Sequence, residues 1–298
     1  MPSRLVALVT GSSRGVGKGI AIALEMKGAR VHVTGRTAEA DPAWFPGTVH
    51  ETAAAVTAAG GEGVALRCDN SDDIAVREVF DRIESEAGRL DILVNNVPDL
   101  RAKLGGAGAF WEKPIELAVL VDVGLRSHYV ASHHAARLLA PRRHGLIVGI
   151  SFYGAVSYFH GPAYGAQKAG LDKMMADMAR ELRPHDVATL SIWPGTVATE
   201  RVMASLNASR NGATSSTQRL KRPEFTGIVI DAVYRNSDRM RLSGQTVIAA
   251  ELAREHGITD LDGRQPPSYR ETLGAPPARF VPADPNKITG RRSQSATG

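Results

Sequence analysis

Residues 4–24, RLVALVTGSSRGVGKGIAIAL, decide the fold. Residues 5–10 are a short apolar run rich in β-branched side chains and without alternation, the pattern of a strand buried on both faces. The run leads directly into Thr10-Gly11-Ser12-Ser13-Arg14-Gly15-Val16-Gly17, after which residues 20–27 show helical spacing. Glycines at 11, 15 and 17 let the backbone turn sharply and pass close to a pyrophosphate, which then sits at the positive end of the following helix. The spacing is G-x3-G-x-G rather than G-x-G-x-x-G, and a Walker A reading fails because position 12 is Ser and Lys18 is followed by Gly19. With a strand before and a helix after, dinucleotide binding is a better reading of this turn than a purely structural one.

Similar runs recur at 31–34, 64–66, 92–94, 146–150, Val187–Trp193 and 245–249, with helical stretches between them. Seven such strands alternating with helices predict an α/β fold, a doubly wound (Rossmann-type), mostly parallel seven-stranded sheet with helices on both faces. Ser71-Asp72 predicts the cap of a helix running to Glu86, and Gly88 its end. Residues 37–48, with Pro42, Trp44, Phe45, Pro46 and Gly47, read as a loop inserted between a strand and the next helix, and 99–114 is glycine-rich. Residues 1–275 are expected to form one domain with an extended carboxyl segment, and 276–298, rich in Pro, Ser, Arg and Gly, a flexible or draped tail. The composition, 43% hydrophobic and 22% charged, is that of a globular protein. The net charge of +5 comes from basic residues scattered among acidic ones, which points to solvated surface rather than to nucleic acid. A single cysteine, Cys68, and the lack of a membrane segment or signal peptide fit a cytoplasmic setting.

The chemistry is carried by residues near strand ends. The second strand runs out at Val33-Thr34-Gly35-Arg36, where recognition of a ribose 2′-hydroxyl calls for a carboxylate. Arg36, with Arg14 from the glycine turn, instead suits a 2′-phosphate, hence NADP (NADPH) rather than NAD. Tyr164 and Lys168 stand four apart on one helical face, and an ammonium near the phenol is expected to lower its pKa toward the working pH. Ser151, thirteen residues before Tyr164, sits at the end of the fifth predicted strand, where its hydroxyl is placed to hydrogen-bond a substrate oxygen.

Taken together, T-G-x3-G-x-G at 10–17, Asp69, Asn95-Asn96, Ser151, Tyr164, Lys168 and Pro194-Gly195 resemble the short-chain dehydrogenase/reductase family over about residues 4–265. Further stretches, Val123-Gly124-Leu125-Arg126-Ser127-His128-Tyr129, Pro223-Glu224-Phe225 and 252–264, resemble the branch of that family typified by dehydrogenase/reductase member one. The resemblance implies an oxidoreductase that moves a hydride between a nicotinamide and a carbonyl or alcohol. In that scheme Tyr164 is the acid/base, Lys168 its activator and holder of the nicotinamide ribose, and Ser151 the substrate-oxygen donor. Gly11, Ser13, Arg14, Gly15, Val16, Gly17 and Arg36 contact the cofactor, as do Pro194, Gly195, Val197 and Thr199. Asp69 approaches the adenine and Asn95 supports the cofactor fold. The likeness also favours a homodimer or homotetramer.

Two departures from the family pattern stand out. Asn-Asn-Ala-Gly appears as Asn95-Asn96-Val97-Pro98, and the helix Asn whose main-chain carbonyl holds a relay water is Asp122. Asp122 is expected either to keep that carbonyl role or, through its carboxylate, to perturb Lys168. These departures motivate an alternative, a catalytically inactive NADP-binding sensor or scaffold, which the intact Ser151, Tyr164 and Lys168 oppose. Phe152, Tyr153, Tyr158, Phe159 and Trp111 lie in segments expected near the pocket and suggest a bulky apolar ketone. His128, His133 and His134 lack the spacing of a metal site, and none is expected.

Overall fold

The computed structural model describes residues 4–25, 28–41, 45–98, 108–208, 219–278 and 280. Seven strands, β1 Val6–Val9, β2 Arg30–Gly35, β3 Glu62–Arg67, β4 Ile92–Asn95, β5 Gly145–Ile150, β6 Val187–Trp193 and β7 Thr246–Ile248, form one sheet. Their order is β3-β2-β1-β4-β5-β6-β7, and every pairing is parallel. Each expected strand is present. The order reverses between β1 and β4, and the chains leaving their carboxyl ends diverge there and open a crevice.

Alternation along the strands divides the core between the two faces of the sheet. Ala7, Val9, Val31, Val33, Val148 and Ile150 pack on one side against α1 Gly15–Glu25, α2 Val49–Ala58 and α7 Phe225–Arg235. Val6, Leu8, Leu93 and Ile147 pack on the other against α3 Asp73–Ala87, α4 Ser127–Leu139 and α5 Pro162–Leu182. Because both faces are covered, the strands read as unbroken apolar runs. Shorter helices α6 Glu200–Ala208, α8 Ala249–Glu255 and α9 Arg270–Leu273 complete the carboxyl half, where Tyr153, Trp193 and Ile248 make a third apolar cluster. Among the described residues, no helix is long and apolar enough to cross a membrane.

Local signals set the helix ends. Asp72 caps α3 by accepting the N–H groups of Ile74 (2.9 Å) and Ala75 (3.3 Å), and Gly88 at φ 64° ends it. The inserted loop delivers Thr48, which starts α2 in a reciprocal capping box with Glu51. Within that loop Pro42 and Trp44 lie outside the described residues, as do 99–107 of the glycine-rich stretch and, of the tail, 279 and 281–298.

The helix that carries the glycine turn is held from behind by α7. A Cβ on Gly227 would lie 2.6 Å from the Ala23 Cβ and 2.8 Å from the Ile20 Cα. We therefore predict that Gly227→Ala lowers stability by about 1–3 kcal/mol through overpacking. A urea titration checks this: the midpoint should fall with the slope unchanged, and an unmoved midpoint would show that the two helices can part without cost.

Candidate active site

A cleft of about 520 Å³ opens at the carboxyl ends of the strands. One end is the glycine turn. Gly11 and Gly15 have φ of 62° and 61°, and a Cβ on Gly17 would come within 2.4 Å of the Asn96 Nδ2 and 2.5 Å of the Gly11 carbonyl. Only a backbone without side chains fits here, and it leads into the N-terminus of α1, where unpaired N–H groups favour an anion. The Gly15 N–H already has one, since it donates to the Glu200 Oε2 at 2.9 Å.

Arg14 and Arg36 line the same end of the cleft, with Asp69 and Asn70 nearby. The inserted loop fixes Arg14, whose guanidinium donates to the carbonyls of Pro46 (3.2 Å) and Gly47 (2.6 Å). Arg201, over the Phe45 ring at 4.8 Å, adds a third guanidinium to the lining. Arg14 and Arg201 both have their pKa lowered by burial. Four cationic side chains, Arg14, Arg36, Lys168 and Arg201, thus face two carboxylates, Asp69 and Glu200, across the described lining. Phe45, Asn70, Glu200 and Arg201 are absent from the sequence-based set, and no local motif marks them.

At the other end, α5 presents Tyr164 and Lys168 to the cleft, one turn apart. Lys168 is 7% exposed, its Nζ donates to the Ile150 carbonyl at 3.0 Å, and it lies 5.6 Å from the Tyr164 ring centre. Burial lowers its pKa to about 8, against which Asp172 pulls upward. Asp172, one turn further along α5, accepts hydrogen bonds from the Ser191 hydroxyl (2.5 Å) and the Trp193 indole (3.1 Å), and burial raises its own pKa to about 6. Tyr164 departs from expectation. Burial raises its pKa.

The other expected site residues divide into two groups. Ser13, Val16, Ser151, Pro194, Gly195, Val197 and Thr199 line the cleft. The Ser151 hydroxyl, however, donates to the Lys168 carbonyl at 3.2 Å, and a hydroxyl has one hydrogen to give, so it must rotate before it can serve a substrate oxygen. Asn95 and Asp122 do not line the cleft. As the last residue of β4, Asn95 turns into the core and donates to the Ser132 hydroxyl (2.8 Å), whereas Asn96 reaches the carbonyls of Thr10 (3.0 Å) and Gly11 (2.9 Å). Asp122 opens a π turn, Asp122–Arg126, and its carbonyl accepts the Ser127 N–H. Asp172 is the carboxylate whose charge favours the Lys168 ammonium.

Val97 and Pro98 form part of the cleft wall, and the Val97 carbonyl meets the buried His128 Nε2 at 3.1 Å. Of the aromatic residues, Phe152 and Phe159 line the cleft with rings 5.1 Å apart, Tyr153 is fully buried, and Tyr158 and Trp111 are 83% and 74% exposed. His160, which no motif singled out, stands edge-on to the Tyr164 ring at 5.1 Å with a left-handed φ of 60°. Such backbone strain in a bulky residue clusters at functional sites.

Comparison with known proteins agrees with this arrangement. Residues 5–210 match the short chain dehydrogenase family. The human protein named Dehydrogenase/reductase SDR family member 1 is 37% identical over 280 residues, spanning 89% of this chain and 85% of that protein. The 3-oxoacyl-acyl-carrier-protein reductase FabG of Escherichia coli (strain K12) is 30% identical over 209 residues, 70% of this chain and 79% of that one. The crystal structure of a metagenomic short-chain oxidoreductase in complex with NADP aligns with a TM-score of 0.65 at 30% identity, covering 83% of this chain and 96% of that one.

The Glu200 carboxylate occupies the Gly15 N–H at the N-terminus of α1, where a helix start favours an anion. Removing its charge is predicted to tighten binding of ADP by about tenfold, equivalent to roughly 1.4 kcal/mol. Calorimetric titration of Glu200→Gln and the unaltered protein tests this, and equal affinities would show that the carboxylate leaves the turn without cost.

Proposed function

The chain belongs to the short chain dehydrogenase family, whose members are oxidoreductases using a nicotinamide cofactor, and from that premise we propose that it is an NADP-dependent carbonyl reductase for an apolar ketone. The observation that carries the reading is the placing of Tyr164 and Lys168, one helical turn apart, on the wall of the cleft that ends at the glycine turn. The cradle fits a dinucleotide. Gly11 and Gly17 leave no room for side chains, the α1 N-terminus offers N–H groups, and guanidinium groups flank the turn.

Arg14, Arg36 and the α1 N-terminus would hold the phosphates, and residues 194–197 the nicotinamide half. When bound, the nicotinamide supplies the hydride. Tyr164 then provides the proton. Because burial raises its pKa, the phenol is protonated at neutral pH, ready to donate to a carbonyl oxygen that gains negative charge. Lys168, turned toward the Ile150 carbonyl, restores charge balance behind the tyrosine, and Asp172 keeps its ammonium protonated. Phe152 and Phe159 give the substrate end an apolar wall, suited to a ketone without charges.

NADP is favoured over NAD because the end of β2 and the residues following it carry Arg36 and no carboxylate at 34–36, while Arg14 is held beside it by the inserted loop. NADPH should therefore bind about tenfold or more tightly than NADH, since two charge-assisted contacts to one phosphate exceed roughly 1.4 kcal/mol. Arg36→Ala should remove most of that difference. Titration with both nucleotides gives the answer, and equal affinities in the unaltered protein would overturn the assignment of NADP.

A further inference from the structure

Lys221 is the most deeply buried cation that the chemistry above leaves unused. It is 0% exposed, in the segment between α6 and α7. Burying an ammonium is costly unless its hydrogens find acceptors, and a methionine would fill the same space without that cost. The contacts of Lys221 show what the charge is for. Its Nζ donates to the Pro194 carbonyl at 2.8 Å. Its N–H donates to the Thr196 carbonyl (3.1 Å), its own carbonyl accepts the Ala198 N–H (2.9 Å), and it forms a parallel bridge with Val197. The residue is thus fastened to 194–198 twice by backbone and once by its ammonium, from the side away from the cleft.

That stretch needs such support. Pro194 has no N–H, and Gly195 turns at φ 76°. A Cβ on Gly195 would fall 2.2 Å from the Lys221 Nζ and 3.4 Å from the Tyr269 ring, so glycine is required for the ammonium to pack beneath the turn. Tyr269 covers the ammonium with its ring at 5.2 Å, a cation–π arrangement, and is itself fixed by hydrogen bonds to the Arg219 carbonyl and from its N–H to the Tyr153 hydroxyl, each 3.2 Å. Burial lowers the pKa of the ammonium to about 8, and the charge of Asp260 opposes that fall.

We propose that Lys221 is a positioning residue for the nicotinamide half of the cofactor, holding the Pro194 carbonyl, and with it the cleft wall at 194–197, while Tyr269 of the carboxyl segment seals it from behind. The proposal rests on the cofactor reading given above and adds to it a residue that touches neither cofactor nor substrate. Its mark is selectivity. Among the described residues Lys221 has no hydrogen bond to the glycine turn, Arg14 or Arg36, so loosening the wall should weaken the dinucleotide more than its adenosine half.

The test compares adenosine 2′,5′-bisphosphate with NADPH, by calorimetry, on the full chain and on Lys221→Met. The expected result is a bisphosphate affinity within about twofold of the unaltered protein and an NADPH affinity about tenfold lower. Tyr269→Leu, which keeps the ammonium but removes its cover, should show the same selective loss to a smaller extent, and it carries the comparison if Lys221→Met does not fold. Equal weakening of both ligands, or weakening of neither, would overturn the proposal and leave Lys221 a packing residue. Failure of the unaltered protein to bind the bisphosphate would instead refute the NADP reading itself.

Discussion

The arrangement of the site depends on the reversal of strand order between β1 and β4. Right-handed crossovers to either side of that point send successive helices to opposite faces, so the chains leaving β1 and β4 part and leave a crevice that neither fills. The glycine turn closes one wall because it follows β1 directly. Asn96, following β4, braces that turn across the gap through two backbone carbonyls. β5 and β6 then bring Ser151 and Pro194-Gly195 to the same rim, and α5 crosses behind with Tyr164 and Lys168.

Within this frame the chemistry is set by burial opposing charge. Lys168 loses hydration and its pKa falls to about 8, yet Asp172, held by Ser191 and Trp193, supports the ammonium from one turn away. Tyr164 loses hydration too, and its phenol keeps its proton. At the opposite end, Glu200 accepts the Gly15 N–H at the N-terminus of α1, among the arginines of the lining.

Much of this architecture is legible along the chain because its signals are local. Strands buried on both faces become unbroken apolar runs, α3 is bounded by Asp72 and Gly88, and the Tyr164–Lys168 spacing places both on one helical face. What escaped was long-range or depended on side-chain direction. Glu200 meets Gly15 across 185 residues. Asn95 and Asn96 look equivalent in sequence, but strand alternation turns the first into the core. The direction of the Ser151 hydroxyl follows from a carbonyl on α5, and no motif marks the Asp172 charge that favours the Lys168 ammonium. The burial of Lys221, a residue with no motif around it, follows only from the closing of the carboxyl segment over the sheet end.

The most direct test of the account is turnover by purified protein supplied with NADPH and a panel of apolar ketones, following both nucleotide oxidation and alcohol formation, for the unaltered chain, Tyr164→Phe and Ser151→Ala. The account requires one alcohol per NADPH consumed. Tyr164→Phe should lose about a hundredfold or more of that rate while still binding NADPH, as expected when a general acid is removed. Ser151→Ala should lose less, since a hydroxyl that only hydrogen-bonds the substrate oxygen supplies no proton. Wild-type turnover by Tyr164→Phe would contradict the assignment of the proton donor, and saturable NADPH binding with no ketone reduced would contradict the proposal of a carbonyl reductase.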